Sequence, residues 1–441
     1  MNQDQQVITA PAKIRGTIVI PGDKSISHRS LMFGSLAIGT SRISGILESE
    51  DISSTISCLR LLGADIRSDG QDVLITGKGF GGLVEPAISL DCGNSGTSAR
   101  LLAGIISGLP FSSTLTGDDS LKSRPMARII DPLTLIGASI KAVNSDNLLP
   151  LSVSPSSDIR EDSVIETGVA SAQVKSAVLL CALSAGVGVT VKEPLLSRDH
   201  TERLLTAMGA EFVYPAELSG HSVKLLKREK ELAAIDITVP GDISTAAPWI
   251  IAATLHDDAE LVLQGVGINP TRTGILDIMK MMGANITIVS EKNVGGEPVA
   301  DLLVKSSSLR GVTVEGELIP RSIDELTLVA LAGSRASGQT LIRDAAELSK
   351  KETDRIRRAV DILQGFGVDI VGTTDGFVIT GDTELTSSIS DSYGDHRMAM
   401  LAAVAGILAE GQSYVTNASA VNISYPAFWS EFERVCGGNT I

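Results

Sequence analysis

The sequence predicts an α/β protein with two domains, each built from three copies of one βαβαββ unit. A chain of 441 residues is too long for one ordinary hydrophobic core and suits two domains of roughly 200 residues. A motif of apolar residues, a glycine and a strand-like run recurs along the chain, and six apolar, alanine-rich segments alternate with it. So regular a period indicates that one structural unit has been copied several times.

The glycine motif marks the second half of each unit. Its copies include "LRLLGADI" and "MKMMGANI", and their glycines lie 72 to 84 residues apart, at Gly63, Gly137, Gly209, Gly283 and Gly367. An apolar segment that stops at a glycine before a strand-like run is typical of a helix followed by a strand. We therefore predict a surface helix and then two strands at each copy.

The chain ends within a sixth copy of the motif, "FERVCGG", which has no strand after it. The N-terminal segment "QVITAPAKIRGTIVI" is the natural candidate to supply that strand. Both termini then belong to one domain, of residues 1–21 plus 241–441, and residues 22–240 form an inserted domain. We expect the two hinge crossovers near 20–24 and 239–243, where "IPGD" and "VPGD" repeat the same turn.

The six alanine-rich segments are predicted to be buried helices, because they are apolar on nearly every side. Each follows a turn of small or charged residues, and they are expected to begin near Ser25, Ser95, Ser171, Ser244, Ser322 and Asp395. Ser and Asp are preferred helix N-caps. The start of a helix also carries unpaired N–H groups and a partial positive charge, so these ends are candidate anion sites.

Composition excludes several classes of function. The net charge of −15 opposes nonspecific binding to nucleic acid. Apolar runs such as "LLCALSAGVGVTV" are too short to cross a membrane, and "MNQDQQ" does not resemble a secretory signal. The four cysteines are scattered and show no metal-ligand spacing. We expect a cytoplasmic monomer with no bound metal and no membrane or nucleic-acid partner.

Cations and hydroxyls are concentrated at the predicted helix starts of the inserted domain. Lys24, Ser25 and Arg29 surround the first start, and arginine can hold a phosphate or carboxylate in two places. His28 can be a proton carrier or a satisfied hydrogen-bonding group, and the second interpretation is favoured. The loop "DCGNSGTSAR" is small enough for close backbone approach to a phosphate. The segment "SLKSRPMARIIDP" adds Arg124 and Arg128. Further candidates for hydroxyl and phosphate binding, each of which could equally be a cap or a surface residue, are Ser171, Gln173, Ser197 and Arg198.

The other domain adds carboxylates to its cations. Asp324 lies near the start of an apolar helix, "KKETDRIRR" contains Lys351, Glu352 and Arg355, and "GDHRMAM" contains Asp395, His396 and Arg397. Taken alone, a charge run of this kind is usually a solvated helix face. Partly buried carboxylates set among cations, however, form the arrangement that supports proton transfer.

Taken together, these segments resemble the enolpyruvyl transferase family. The motifs "PGDKSISHR", "GNSGTSAR", "RPM", "SAQVKSA", "SRDHTE", "IDEL", "KETDR" and "GDHRMAM" occur in family order along essentially the whole chain. The resemblance implies a two-domain inside-out α/β barrel with three repeats per domain. It also implies transfer of the enolpyruvyl group of phosphoenolpyruvate to the 5-hydroxyl of shikimate 3-phosphate, on the route to chorismate and the aromatic amino acids, without metal or organic cofactor.

The resemblance assigns roles to individual residues. It implies contacts to shikimate 3-phosphate from Lys24, Ser25, Arg29, Ser171, Gln173, Ser197, Arg198, Asp324 and Lys351. It implies contacts to phosphoenolpyruvate from Lys24, Asn94, Gly96, Arg124, Gln173, Arg355 and Arg397. It implies that Asp324 accepts the hydroxyl proton, that Glu352 exchanges protons at C3, and that Lys24 assists.

The chain departs from some family members at two positions. Ala172 stands where some members have a second serine, and Ile423 appears where some have a lysine. Gly96 is retained, which implies inhibition by glyphosate in competition with phosphoenolpyruvate. Two alternatives are the related enzyme that acts on UDP-N-acetylglucosamine, whose loop cysteine is absent from "PFSSTLTGDDSLKSRPMAR", and a non-catalytic anion-binding protein of the same fold.

Overall fold

The computed structural model describes residues 4–70, 72–144, 146–215 and 221–436. The chain divides into two compact units, which we call the terminal unit (residues 1–21, 240–293 and 298–441) and the inserted unit (residues 22–239 and 294–297). The glycines of the sixth motif copy, at 437 and 438, lie outside the described residues. None of the helices within the described ranges is long and apolar enough to cross a membrane.

The strands alternate with helices along the chain, as the repeat predicts. In chain order the strands are β1 Gln5–Thr9, β2 Ile14–Val19, β3 Ile38–Ser44, β4 Asp65–Asp69, β5 Asp72–Lys78, β6 Leu90–Asp91, β7 Ser113–Thr116, β8 Ser139–Ala142, β9 Leu151–Ser154, β10 Ser163–Glu166, β11 Val189–Glu193, β12 Phe212–Val213, β13 His221–Leu225, β14 Asp236–Thr238, β15 Ala259–Gly267, β16 Asn285–Val294, β17 Glu297–Lys305, β18 Thr313–Val314, β19 Gln339–Ile342, β20 Ile370–Thr373, β21 Gly376–Thr380, β22 Ile389–Asp391 and β23 Gln412–Thr416.

The α-helices connect these strands within each repeat. They are α1 Lys24–Leu36, α2 Glu50–Leu61, α3 Gly96–Ser107, α4 Asp119–Lys122, α5 Ala127–Ile136, α6 Ala172–Ala185, α7 His200–Ala207, α8 Ile243–Leu255, α9 Gly274–Met282, α10 Leu318–Ser322, α11 Leu326–Arg335, α12 Arg355–Gly365, α13 His396–Ile407 and α14 Phe428–Cys436. Short 3-10 helices span Phe80–Gly82, Ala346–Lys350 and Ala418–Ile423.

The inserted unit contains three four-stranded sheets of one topology. Their strand orders are β14-β3-β5-β4, β6-β7-β9-β8 and β10-β11-β13-β12. In each sheet the first two strands are parallel and the other neighbours are antiparallel. The first sheet obtains its parallel edge strand from β14, at the end of the unit, because no strand precedes α1 within it.

Two sheets of the terminal unit repeat this topology, and the third has three strands among the described residues. Its sheets have the orders β16-β17-β15-β2, β18-β19-β21-β20 and β1-β23-β22. The N-terminal segment forms two strands that join different sheets: β1 pairs antiparallel with β23, whereas β2 pairs parallel with β15. This division was not predicted, because the pattern of the segment indicated a single strand.

The predicted fold class is confirmed, with apolar helices inside each unit and sheets outside. Helices α1, α3 and α6 are buried over almost their whole length, whereas strands such as β5 alternate buried and more exposed residues. Gly104 allows α3 and α6 to approach closely, because a Cβ at this position would lie 2.4 Å from the Ala177 carbonyl oxygen. In the terminal unit, α8, α11 and α13 occupy the corresponding core.

The predicted helix starts are confirmed to within one residue at five positions and corrected at the sixth, near Ser322. Ser95, Ser171 and Asp395 are N-cap residues. Helices α1 and α8 are instead capped by Asp23 and Asp242, whose carboxylates accept from backbone N–H groups near the helix start. The helix expected from Ser322 is interrupted. Helix α10 ends there, α11 begins at Leu326, and Asp324 lies in the turn between them.

Candidate active site

The start of α1 places Lys24 at an anion-attracting helix end. Asp23 caps the helix through the Ile26 N–H at 2.8 Å, and Lys24 is the first helical residue. Its Nζ lies 3.1 Å from Asp51 Oδ2 of α2, and 22% of the side chain is exposed. A partly exposed ammonium beside a helix N-terminus can bind an anionic group.

Arg29 is buried one turn further along α1. It donates from Nε to Thr201 Oγ1 at 2.7 Å, from Nη2 to Ser176 Oγ at 2.9 Å and from Nη1 to the Ser25 carbonyl at 3.0 Å. Burial lowers the pKa of Arg29 to about 10, although Glu202 opposes the shift. The guanidinium is therefore held in one orientation by neutral oxygen atoms, and it stays charged at neutral pH.

His28 is a buried, neutral hydrogen-bonding residue. Its Nδ1 lies 2.7 Å from Thr55 Oγ1, which lies 2.6 Å from Ser98 Oγ, and Ser98 in turn donates to the N-cap Ser95 at 2.7 Å. Burial lowers the pKa of His28 to about 3, and nearby Asp51 offsets this only in part. The other ring nitrogen, Nε2, is buried without a hydrogen-bond partner among the described residues, so only Nδ1 is satisfied. The bonded Nδ1 and the low pKa favour a hydrogen-bonding group over a proton carrier.

The loop before α3 connects Asn94 to Arg124. Arg124 Nη2 donates to Asn94 Oδ1 at 2.5 Å and to Ser120 Oγ at 3.2 Å, while Asn94 Nδ2 donates to Asp118 Oδ2 at 2.7 Å. Asp118 also caps the short α4 through the Leu121 N–H. These contacts bring two residues predicted to bind phosphoenolpyruvate, Asn94 and Arg124, into direct contact.

Gly96, the first residue of α3, lies beside two arginines. A Cβ on Gly96 would lie 2.8 Å from Arg100 Nη1 and 3.6 Å from Arg124 Nη1. Arg100 donates to Gln173 Oε1 at 2.6 Å, and Gln173 Nε2 donates to Thr97 Oγ1 at 3.0 Å. The structure therefore brings Gly96, Arg124 and Gln173 together. Sequence reasoning missed Arg100, although a lone cation in an otherwise apolar helix could have indicated it.

Two serines of the third repeat carry hydroxyls that the fold does not use for capping. Ser171 is the N-cap of α6, yet its side chain accepts no hydrogen bond from the N–H groups of that helix, all of which are described. The Ser197 hydroxyl is buried and has no hydrogen-bond partner within the described part of the chain. Arg198 follows Ser197 and lies close enough to Arg29 for its charge to lower the Arg29 pKa.

A buried ionic triad behind Ser197 was missed by sequence reasoning. Lys175 Nζ lies 3.0 Å from Glu193 Oε2 and 2.9 Å from Glu202 Oε1, and it donates to the Ser197 carbonyl at 3.3 Å. Burial opposes the charge most strongly, but the two carboxylates together raise the pKa of Lys175 above its ordinary value. We refer to Lys175, Glu193 and Glu202 as the buried triad.

In the terminal unit, Asp324 faces three cations. Its Oδ1 accepts from Lys351 Nζ at 3.1 Å and from Arg355 Nη1 at 3.3 Å, and its Oδ2 lies 3.9 Å from Arg397 Nη2. The turn between α10 and α11 leaves 11% of the Asp324 side chain exposed, and that of Lys351 is 27% exposed. A carboxylate with this access can exchange a proton with a bound ligand.

Arg355 is buried beneath this group and contacts three carboxylates. Besides Asp324, it donates from Nη2 to Glu352 Oε2 at 2.6 Å and from Nε to Asp395 Oδ2 at 2.8 Å. Burial opposes its charge, but Asp395 and Glu352 raise the pKa of Arg355 above the ordinary arginine value. Burial likewise opposes the charge on Asp395, whose pKa Arg355 nevertheless holds below its usual value.

A second buried network lies beside Arg397, and the sequence pattern did not predict it. Glu325 Oε1 lies 3.9 Å from Arg397 Nη1 and 3.7 Å from Arg272 Nη2, and it accepts a hydrogen bond from Ser244. Arg272 also donates to Ser244 Oγ at 2.5 Å and lies 3.4 Å from Asp242 Oδ1. The segment "VPGDISTAAP" therefore contributes Asp242 and Ser244 to a buried network of charged residues inside the terminal unit.

Each unit thus gathers most of its predicted site residues at helix starts or in the turns beside them. The inserted unit presents cations and hydroxyls, which suit phosphate and hydroxyl groups. The terminal unit presents carboxylates among cations, which suit proton transfer beside an anion. Among the described residues, we find no group of three His, Cys, Asp or Glu side chains that could hold a metal ion.

Comparison with known proteins identifies relatives over nearly the whole chain. Residues 8–432 match the family model of EPSP synthase (3-phosphoshikimate 1-carboxyvinyltransferase). The chain is 44% identical over 433 residues to the 3-phosphoshikimate 1-carboxyvinyltransferase of Herpetosiphon aurantiacus, covering 98% of this chain and 99% of the relative.

Solved structures show the same similarity. An EPSP synthase from Acinetobacter baumannii superposes with a TM-score of 0.87 at 39% identity, over 98% of both chains. The enolpyruvyl transferase NikO from Streptomyces tendae superposes with a TM-score of 0.75 over 98% of this chain and 97% of its own. At 17% identity, the second comparison supports the fold alone.

Proposed function

The chain belongs to the EPSP synthase (3-phosphoshikimate 1-carboxyvinyltransferase) family, and from this premise we propose that it transfers the enolpyruvyl group of phosphoenolpyruvate to the 5-hydroxyl of shikimate 3-phosphate, with release of phosphate. The observation that carries the proposal is the position of Asp324, which is partly exposed and accepts hydrogen bonds from Lys351 and Arg355. Glu352 accepts a hydrogen bond from the guanidinium of the same Arg355. This group offers two carboxylates for a reaction that moves two protons.

The reaction proceeds by addition and then elimination. The 5-hydroxyl oxygen bonds to C2 of phosphoenolpyruvate while that hydroxyl loses its proton and C3 gains one. The resulting tetrahedral intermediate then loses a proton from C3 as its C2–phosphate bond breaks. We assign the hydroxyl proton to Asp324 and the C3 proton to Glu352, and Lys24 assists through its charge. Positioned acids and bases of this kind contribute about 10²- to 10⁴-fold to a rate.

The remaining residues bind the substrates' anionic groups and hydroxyls. In the inserted unit, we assign shikimate 3-phosphate to Lys24, Ser25, Arg29, Ser171, Gln173, Ser197 and Arg198, and phosphoenolpyruvate to Lys24, Asn94, Gly96, Arg124 and Gln173. In the terminal unit, we assign shikimate 3-phosphate to Asp324 and Lys351, and phosphoenolpyruvate to Arg355 and Arg397.

Local charge outweighs the negative charge of the whole protein. The net charge of −15 repels both substrates at long range, but salt screens that repulsion beyond about 8 Å. Each hydrogen bond to a charged group contributes about 1.5–3 kcal/mol. The summed free energy of several such contacts therefore exceeds the screened electrostatic repulsion.

We further propose that the protein acts as a cytoplasmic monomer and that glyphosate inhibits it in competition with phosphoenolpyruvate. All four cysteines are free and buried, which suits a reducing compartment. A Cβ on Gly96 would lie 2.8 Å from Arg100 Nη1 and 3.6 Å from Arg124 Nη1, so a larger residue there would crowd both guanidinium groups.

One assay tests the proposed function against both alternatives. The protein is mixed with phosphoenolpyruvate and either shikimate 3-phosphate or UDP-N-acetylglucosamine, and phosphate release is measured. We expect release with shikimate 3-phosphate only. Release with UDP-N-acetylglucosamine would favour the related enzyme, and no release with either acceptor would favour a binding protein. Asp324→Ala tests the mechanism separately, because a full rate in this variant would refute the role of Asp324 alone.

A further inference from the structure

We propose that Lys175 is a positioning residue that holds the Ser197–Arg198 segment in place for shikimate 3-phosphate, acting from the buried triad. The inference rests on the proposed function for the identity of the ligand. Lys175 itself is 1% exposed, so it acts through the segment and not by contact with the substrate.

The triad holds this segment through its backbone. Lys175 Nζ donates to the Ser197 carbonyl at 3.3 Å, and Glu193 Oε2 accepts from the Ser197 N–H at 3.4 Å. One residue thus has both its peptide groups bonded to members of the triad. The Ser197 side chain, by contrast, is buried and unpartnered within the described residues, so its hydroxyl can serve a ligand.

The same triad lies beside the partners of Arg29. Glu202 follows Thr201 in α7, and Thr201 accepts from Arg29 Nε at 2.7 Å. Ser176 follows Lys175 in α6 and accepts from Arg29 Nη2 at 2.9 Å. The helices that carry Lys175 and Glu202 therefore also orient Arg29, so the triad connects the two groups assigned to shikimate 3-phosphate.

A stabilising role alone does not account for these charges. Glu193 Oε1 and Glu202 Oε2 are buried without a hydrogen-bond partner among the described residues. Burying these oxygens lowers the net contribution of the triad to folding stability. Buried ion clusters are often no more stable than apolar side chains of similar volume. An apolar side chain, however, cannot donate a directed hydrogen bond to the Ser197 carbonyl. That bond is the specific feature that the charged residue provides.

The test compares two variants with a control. Lys175→Met removes the donor but leaves two buried carboxylates unpaired. The triple variant K175M/E193M/E202M removes all three charges together and avoids that imbalance, so it serves if the single variant does not fold. The control is Leu179→Ala, one turn along α6, which opens a cavity in the same buried helix and keeps all three charges of the triad.

We expect both Lys175 variants to weaken the binding of shikimate 3-phosphate at least tenfold by isothermal titration calorimetry, and to leave the KM for phosphoenolpyruvate within twofold. Leu179→Ala should bind shikimate 3-phosphate within twofold of the parent. A folded triple variant with the parent's affinity would overturn the proposal, as would equal weakening in Leu179→Ala.

A measurement without substrate separates this inference from the proposed function. Hydrogen exchange of residues 194–199 in the ligand-free protein should become at least tenfold faster in the triple variant and stay unchanged in Leu179→Ala. If the parent protein releases no phosphate but this difference appears, the proposed function fails and the positioning role stands. If exchange is the same in all three proteins, the positioning role fails.

Discussion

Arg355 and Asp395 form a bidentate ion pair inside the terminal unit. Arg355 Nε and Nη2 lie 2.8 and 3.3 Å from the two carboxylate oxygens of Asp395. Asp395 is also the N-cap of α13 and accepts from the Arg397 N–H at 2.9 Å. One buried carboxylate thus fixes a guanidinium and begins the helix that carries Arg397, so two predicted ligands of phosphoenolpyruvate depend on it.

Asp395→Asn should destabilise the terminal unit by about 3–5 kcal/mol, because it leaves a buried guanidinium short of one negative charge. Asparagine is itself a good N-cap, so the change mainly removes charge. Trp249 and Trp429 both lie in this unit, and tryptophan fluorescence during urea unfolding therefore reports on it. Asp354→Asn, at the exposed N-cap of α12, is the control and should change little. Equal stability of Asp395→Asn and the parent would contradict the prediction.

Asp324→Asn should lower kcat about 10²- to 10⁴-fold, because the amide cannot accept the hydroxyl proton. The KM for shikimate 3-phosphate should change much less, because asparagine keeps a side-chain oxygen that can accept a hydrogen bond from the substrate. Phosphate release at saturating substrate measures this. Asp361→Asn, a carboxylate paired with Arg358 on the outer face of α12, should retain the parent rate. A loss confined to KM would assign Asp324 to binding and remove it from proton transfer.

The repeat made much of the fold predictable, because its signals are local and recur. Apolar segments beginning near Ser95, Ser171 and Asp395 predicted buried helices at the right positions. The start of α1 was predicted to within one residue, but its N-cap is Asp23 and not Ser25. Both are good N-caps, and only the backbone conformation decides between them. The turn that exposes Asp324 was missed because the residues around it continue a helical pattern.

The candidate site was predictable only where charge stood out from an apolar background. Lys24 and Arg29 were recognised at the start of α1, but the partner Thr201 of Arg29 is 172 residues away and cannot be found from spacing. Lys175 and Arg272 were missed for a related reason. A lone charge in a sequence is normally solvent-exposed, and only the fold shows that these two are buried against carboxylates.

Gly96→Ala should raise the KM for phosphoenolpyruvate about tenfold and weaken inhibition by glyphosate at least as much. The new methyl group would lie 2.8 Å from Arg100 Nη1, so the guanidinium must move and its 2.6 Å hydrogen bond to Gln173 is disturbed. A lost hydrogen bond to a charged group costs about 1.5–3 kcal/mol. Steady-state kinetics at varied phosphoenolpyruvate and glyphosate measure both effects. Gly81→Ala, where a Cβ meets nothing within 4 Å, is the control. Unchanged kinetics in Gly96→Ala would refute the assignment.

His28 should make the inserted unit less stable as the pH falls below about 6.5. Burial lowers the pKa of His28 from 6.5 to about 3. Between these two pH values the unfolded chain is protonated at His28, whereas the folded protein is not. The stability is therefore fully present above pH 6.5 and decreases by about 1.4 kcal/mol per pH unit below it. Urea unfolding followed by circular dichroism from pH 7 to pH 4.5 gives the free energy of unfolding at each pH. Its slope against pH should be smaller in His28→Gln, by the amount that corresponds to about one proton taken up on unfolding. Ser30→Ala, a buried change without a titrating group in the same helix, should keep the parent slope. If the free energy of unfolding changed with pH in the same way in His28→Gln and the parent, His28 would be protonated in the folded protein or would not contribute to acid unfolding.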